Sequence, residues 1–327
     1  MRTSIRTSPS RRVLITGGSG FVGANLARRL ARDGHEVHAL LRPARNRWRL
    51  EAFPGRLIVH AGTVADRPGT TALVRDVRPQ WIFHLAAHGA YPEQRDLEAM
   101  IQTNIMGAVN LIDASADAGV EAFINAGSSS EYGFKDHAPS ESEVLEPSSD
   151  YAFTKASATL YCQSVAKRTG LPAVTLRLYS VYGPYEQPTR LIPTLIRMGL
   201  EKRLPPLVNP EIARDYVYVD DVSDAFVLAA ESAGAHKGAI YNLGSGRQTT
   251  LSEVVEVVRE LLGISARPHW RSMAPRSWDT STWVADPSLI RSELGWTPTT
   301  PLSQGLERTI AWTKQNLELV QQWTAPE

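Results

Sequence analysis

Through the first half of the chain, short apolar runs rich in β-branched residues alternate with stretches whose apolar positions recur at helical spacing. Residues 12–16 (RVLIT) read as a strand. Residues 21–33 read as a helix, with Val22, Leu26 and Leu30 on one face and Gly34 to stop it. Further strands are predicted at 36–41, 57–61, 81–86, 122–126 and 173–179, and helices near 70–77, 97–118 and 151–168. This regular alternation predicts an α/β fold, a doubly wound parallel sheet with helices on both faces.

Beyond Gly183-Pro184 the rhythm breaks. A helix is predicted near 191–200, then a proline-rich stretch at 204–210, a strand at 215–219, a helix at 221–231 and a strand at 239–243. The remainder reads as mainly helical to residue 322, with no internal repeat and no low-complexity tract. This later part is expected to be a smaller α/β region.

Composition narrows the function classes. A chain of 327 residues suits one large domain or two intimate ones. Lys+Arg 35 against Asp+Glu 34 gives a net charge of +1, so no global field points to nucleic acid or membrane, and an acidic ligand would need local arginines. The single cysteine, Cys162, excludes an intramolecular disulfide and a cysteine-type zinc site. The eight histidines show no ligand spacing, so no metal is expected. No apolar run approaches ~20 residues. Residues 1–10 lack the apolar stretch of a secretory signal and read as a flexible extension, while the single cysteine fits a reducing, cytoplasmic location.

The first chemical motif is Thr16-Gly17-Gly18-Ser19-Gly20-Phe21-Val22-Gly23, a glycine-rich turn between a strand and an amphipathic helix. Such a turn lets a pyrophosphate approach the backbone at a helix N-terminus, which makes 11–183 a Rossmann dinucleotide-binding domain with later returns near 214–246. Residues 184–327 then become mainly a substrate-binding domain. Glycine-rich surface loops also occur by chance; the flanking strand and helix carry the functional reading. The second strand ends without an acid and is followed by Arg42, Arg45 and Arg47. A carboxylate there would bind a ribose hydroxyl, whereas guanidinium grips a 2′-phosphate. NADP(H) is therefore expected, with NAD(H) as the alternative.

The second motif is Tyr151 and Lys155, one helical turn apart on one face. An ammonium beside a phenol favours phenolate, so tyrosine can act as acid or base near neutrality. Ser128, just after a strand, supplies a hydroxyl for the substrate oxygen. Tyr-x-x-x-Lys alone is common on amphipathic helices; its order after the glycine turn and serine gives it weight.

These motifs resemble those of the extended short-chain dehydrogenase/reductase family, the nucleotide-sugar epimerases, dehydratases and reductases. The resemblance also covers His84-Leu85-Ala86-Ala87, Asn104, Ser128 to Gly133, Arg177-Leu-Tyr-Ser-Val-Tyr-Gly-Pro184, Arg214-Asp-Tyr-Val-Tyr-Val-Asp-Asp221, Tyr241-Asn-Leu-Gly-Ser-Gly246 and Leu294-Gly-Trp296. It implies Tyr151 as acid/base, Lys155 as its tuner and holder of the nicotinamide ribose, and Ser128 as the third catalytic group. It implies cofactor contacts from Gly17, Gly20, Phe21, Val22, Gly23, Arg42, Thr63, Val64, Leu85, Ala86, Ala87, Tyr151 and Lys155. For the substrate it implies Arg214 as diphosphate clamp, Arg276 and Asp279 as a later pair on the diphosphate and ribose, and Ser130 facing the sugar. Arg190, Ser180, Ser129 and His88 are further substrate candidates, although strand alternation turns Ser129 away and packing is the first reading of His88. Asn104 is expected to support the architecture, and Trp270, Trp278, Trp283 and Trp296 to be core or cover. The helices at 97–118 and 151–168 resemble a homodimer pair.

Three departures sharpen the reading. Ser180 replaces an asparagine usual in the family, and Thr63 an aspartate. Dehydratases of the family carry a carboxylate just after the catalytic Ser/Thr, where this chain has Ser129 and Ser130; Glu131, by strand alternation, should face away. Dehydration is therefore demoted. NADPH-dependent reduction of a nucleotide-linked 4-keto-6-deoxysugar ranks first, a nucleotide-sugar 4-epimerase second, and a catalytically silent cofactor-binding protein third.

Overall fold

The computed structural model describes residues 9–43, 47–276 and 279–322. Arg45, Trp278 and the first eight residues of the expected extension lie outside the described residues. The strands are β1 (Arg12–Thr16), β2 (Glu36–Leu41), β3 (Leu57–Ala61), β4 (Trp81–His84), β5 (Ala122–Ser128), β6 (Ala173–Leu178), β7 (Ser180–Tyr182), β8 (Ala213–Arg214), β9 (Tyr216–Tyr218), β10 (Ile240–Leu243) and β11 (Thr249–Thr250). The helices are α1 (Phe21–Arg32), α2 (Arg67–Val77), α3 (Leu97–Met100), α4 (Gly107–Ala118), α5 (Asp150–Thr169), α6 (Leu191–Leu200), α7 (Val219–Ser232), α8 (Leu251–Leu262), α9 (Ser288–Leu294), α10 (Leu302–Gln315) and α11 (Leu317–Gln322).

Seven strands form one sheet in the order β10-β6-β5-β4-β1-β2-β3. The pairs β2–β3, β1–β2, β1–β4 and β4–β5 are parallel, with Thr16 opposite Leu40 and His84, and His84 opposite Asn125. The order reverses between β1 and β4, the switch point where an open α/β sheet leaves a crevice at its carboxyl edge. This is the doubly wound Rossmann-type sheet that the alternation predicts.

By contact density the chain divides into two compact units. The first runs to Ser128 and adds Ser149–Leu176 and Phe226–Ile240; the second comprises Ser129–Ser148, Arg177–Ala225 and the chain from Tyr241. In the first, Leu14, Ile82, Leu111, Ile112, Phe123 and Val165 are among the residues of one buried cluster between sheet and helices. In the second, Ile192, Leu195, Ile196, Val254, Val258 and Leu306 join α6, α8 and α10 in another. No helix among the described residues is long and apolar enough to cross a membrane.

The structure departs locally from the sequence pattern in four places. The helix predicted over 97–118 is interrupted by a wide π turn at Ile101–Met106, inside which buried Asn104 bonds the backbone N–H and C=O of His88, each at 2.8 Å, and the Thr154 hydroxyl at 2.9 Å. A π turn of this kind places a side chain that a regular helix would misdirect. β4 stops at His84 because the next two N–H groups turn to Thr16, Leu85 to its carbonyl at 3.1 Å and Ala86 to its hydroxyl at 3.3 Å. β5 runs two residues past its predicted end, to Ser128, and then closes into a 3₁₀ turn at Ser129–Tyr132. No helix is described between Leu262 and Ser288, where helix was expected.

Candidate active site

In the first unit, the expected cofactor residues follow the carboxyl ends of successive strands: the glycine turn after β1, Arg42 after β2, Thr63 and Val64 after β3, and Leu85 to Ala87 after β4. Gly17 has φ +72°, and a Cβ there would lie 2.5 Å from the Leu85 carbonyl. A Cβ on Gly23 would lie 2.3 Å from the Gly17 oxygen. The turn is closed by Gly20 N–H donating to the Gly17 carbonyl at 2.9 Å. No side chain caps the N-terminus of α1 and no acid lies in its first turn, so its leading N–H groups face the cradle with a positive helix end. A space that side chains would fill, lined by backbone donors, fits the pyrophosphate of a dinucleotide. Phe21 and Val22, both half-buried, open α1 beside it. Arg42 is exposed, and the Thr63 hydroxyl accepts from Ala65 N–H at 3.3 Å. Val64 is turned inward: it packs where Gly107 lacks a side chain, and its carbonyl accepts from Asn110 at 3.0 Å, leaving only backbone for a ligand.

The same unit holds Ser128, Tyr151 and Lys155. Ser128 ends β5, and α5 begins with Ser149 capping Ala152 N–H at 3.2 Å, which fixes Tyr151 in the first turn. Lys155 is 4% exposed, and its ammonium donates to the Ala126 carbonyl at 2.6 Å, tying α5 to the last residues of β5. Lys155 also acts on His84. Burial first, and the Lys155 charge second, push the His84 imidazole down to about 3, so at neutral pH it is an uncharged partner of the Thr16 hydroxyl at 2.7 Å. A neutral His84 adds no second positive charge beside Lys155. Ser128 and Tyr151 supply a hydroxyl and a phenol, and Lys155 an ammonium fixed on the end of β5, residue types able to move a proton beside a hydride transfer.

In the second unit, the 3₁₀ turn carries Ser129, Ser130, Glu131 and Tyr132. Ser130 is half-buried, and Ser129 is 6% exposed with its hydroxyl accepting from Trp283 Nε1 at 3.1 Å. Glu131 is fully buried and receives Arg177 Nε–H at 2.8 Å. Arg177 also donates to the Tyr132 hydroxyl at 2.7 Å, which donates to Asn242 Oδ1 at 2.7 Å. Burial opposes the Arg177 charge, but Glu131 and Tyr132 outweigh it and hold its pKa above the ordinary guanidinium value. Strand alternation is thus the wrong ground for turning Glu131 away, because the backbone there is not a strand; its ion pair is the right one.

The expected anion-binding residues gather in this unit. Arg214 donates to the Ala213 carbonyl at 2.7 Å and the Thr280 carbonyl at 3.4 Å. Burial lowers its pKa, while Tyr216 and Asp279 raise it and Arg190 lowers it, so these groups share one electrostatic neighbourhood. Asp279 accepts from Arg276 N–H at 2.8 Å, and Arg190 is exposed at the start of α6. Ser180 begins β7 with its N–H on the Asp215 carbonyl at 2.9 Å. The His88 backbone is held by Asn104 in the first unit. Sequence reasoning missed the Glu131–Arg177 pair and the Trp283–Ser129 bond. Their partners lie 46 and 154 residues apart, and no local pattern signals either.

A family model described as the NAD dependent epimerase/dehydratase family matches residues 13–244. The UDP-glucose 4-epimerase of Corynebacterium glutamicum is 32% identical over 310 residues, covering 88% of this chain and 91% of that protein. The dTDP-glucose 4,6-dehydratase of Streptomyces griseus is 29% identical over 314 residues, covering 92% of this chain and 93% of that protein. Among solved structures, the UDP-glucose 4-epimerase of Thermus thermophilus in complex with NAD superposes with a TM-score of 0.81 at 28% identity, over 93% of this chain and 99% of that one.

Proposed function

The chain belongs to the NAD-dependent epimerase/dehydratase family, and from that premise we propose that it is an NAD-dependent 4-epimerase of a UDP-linked hexose. Its motifs alone rank reduction of a 4-keto sugar first. Relatives that are epimerases and dehydratases support the epimerase reading better. One observation favours epimerase over dehydratase: Glu131, the only carboxylate between Ser128 and Gly133, is bound to Arg177 in a fully buried pair. No carboxylate of that turn is left to take a proton from sugar C5.

In this reading Tyr151 takes the proton from the sugar O4 as the C4–H bond breaks, and Ser128 holds that oxygen by a hydrogen bond. Lys155, anchored on the Ala126 carbonyl, keeps its ammonium one turn from Tyr151 and favours the phenolate that accepts the proton. The turn from Gly17 to Gly23 would hold NAD, which when bound would supply hydride acceptance and return at C4. Tyr151 then returns the proton to O4. Arg214, with Arg190, Arg276 and Asp279, retains the diphosphate while the sugar turns. NADP is the second reading for the cofactor, favoured by the acid-free tip of β2 and the exposed Arg42 that follows it.

We further read the protein as a homodimer through α3, α4 and α5, where Leu97, Phe153 and Leu160 are 41%, 51% and 52% exposed. The activity is tested by incubating the protein and NAD with UDP-glucose, UDP-galactose or UDP-glucuronate without added reductant. Formation of a C4 epimer supports the reading. Reduction of a 4-keto sugar at the expense of NADPH, with no epimer from any of the three, overturns it.

A further inference from the structure

Trp283 joins two parts of the second unit that the chemistry needs to act together. Its indole N–H donates to the Ser129 hydroxyl at 3.1 Å, one residue beyond Ser128. The Arg214 guanidinium lies over the indole ring, 5.4 Å from its centroid, within range of a cation–π attraction.

The segment around the indole is pinned along its backbone. The Thr280 carbonyl accepts from Ala213 N–H at 3.0 Å, and the Ser281 carbonyl from Gln248 Nε2 at 2.7 Å. Trp283 N–H donates to Gln248 Oε1 at 3.2 Å, and Ala285 N–H to Asp215 Oδ2 at 3.0 Å. With its backbone held on both sides, the indole carries a cation on its face and a hydroxyl at its edge. Ser129, Tyr132, Tyr179 and Trp283 line one cavity, so movement of the indole is felt where the turn packs.

We propose that Trp283 is a positioning residue that couples anion engagement at Arg214 to the placement of the Ser129–Tyr132 turn, which follows Ser128 directly in the chain. The inference rests on the proposed reading of Arg214 as the diphosphate clamp. Charge-assisted bonds from Arg214 to a diphosphate draw the guanidinium across the indole face. The ring follows within its pinned segment and tightens its hold on Ser129. The catalytic serine is thereby set when the nucleotide is in place, and loosely held when it is not.

Trp283→Phe keeps a ring face for Arg214 and removes the indole donor. The probe is UDP alone, followed by calorimetry and by hydrogen exchange of the peptide spanning residues 126–133. UDP is expected to bind wild type and variant within about threefold of each other, and to slow exchange of that peptide about fivefold or more in wild type but less than about twofold in Trp283→Phe. In turnover, Trp283→Phe should lower kcat by about tenfold with KM within about threefold. Ser129→Ala should reproduce this, and the double variant should be no worse than either single one. Equal protection by UDP in wild type and Trp283→Phe, or additive losses in the double variant, overturns the coupling. UDP binding to wild type without protecting the peptide overturns the coupling alone. Failure of UDP to bind at all overturns the proposed function and this inference with it.

Discussion

Replacing Glu131 by glutamine separates a structural carboxylate from a catalytic one. Glu131 is 0% exposed and Arg177 is 1% exposed, and their N–O distance is 2.8 Å. Glutamine retains an acceptor for Arg177 Nε–H but puts a neutral amide where the charge of Arg177 has its counter-ion. Arg177 keeps the Tyr132 hydroxyl at 2.7 Å and the Glu141 carbonyl at 3.3 Å, so the loss falls at the lower end for a broken buried pair, about 3 kcal/mol. Arg177→Met removes the counter-ion of a buried carboxylate and should cost about 5 kcal/mol. Replacing both residues by methionine should recover much of that loss, because the desolvation of two charges is removed together. Urea unfolding of the four proteins gives the stabilities. Turnover on a UDP-hexose, measured where each variant is folded, should stay within about tenfold of wild type for Glu131→Gln, whereas loss of a general base costs roughly 10²–10⁴. Unchanged stability with a loss of turnover in that higher range would refute the structural assignment of Glu131 and restore dehydration as a candidate.

Gly23→Ala forces a Cβ to within 2.3 Å of the Gly17 oxygen, so the pyrophosphate cradle must open; NAD affinity should fall by about tenfold or more in calorimetry while the far-ultraviolet spectrum is kept, and unchanged affinity would reject the cradle. His84 has a folded pKa of about 3 against an ordinary 6.5, so the unfolded chain takes up the proton first and stability present above about pH 6.5 is lost as pH falls towards 3. Between pH 7 and 5 wild type should lose about 2 kcal/mol more than His84→Asn in urea unfolding, and parallel losses would sink the assignment. Leu160→Glu, at a 52% exposed position on α5, should convert a dimer to a monomer in light scattering, and a wild-type monomer would contradict the dimer reading.

Much of the sheet unit is legible in the chain because its signals are local. Strands β1, β2 and β3 end where the apolar runs end, and the glycine turn declares itself by the strand before it and the helix after it. What is not legible has a tertiary cause. The π turn around Asn104 exists because that side chain bonds His88 and Thr154, neither of which leaves a mark on the helical period of 97–118. The turn at Ser129–Tyr132 follows directly on an apolar strand, with Gly127 held inside that strand and Gly133 placed only beyond the turn, so strand alternation misreads it. Arg190, Arg214 and Asp279 are grouped in the sequence by family resemblance alone, since 89 residues of chain from 190 to 279 separate the ends of the set. The acid-free tip of β2 points to NADP, whereas the family model is NAD-dependent and the Thermus thermophilus relative was solved with NAD. A missing acid is weaker information than a bonded one.

The central claim is tested most directly with UDP-glucose and UDP-galactose carrying deuterium at C4, incubated with the protein and NAD, with the products read by NMR. A 4-epimerase removes the label as hydride and returns it to the other face of the same carbon, so the epimer should keep deuterium at C4 without consuming reductant. Tyr151→Phe should slow that conversion by roughly 10²–10⁴. Deuterium recovered in a C6 methyl group marks a dehydratase, and unchanged sugar alongside NADPH-dependent reduction of a 4-keto-6-deoxysugar marks a reductase. Either result contradicts the account.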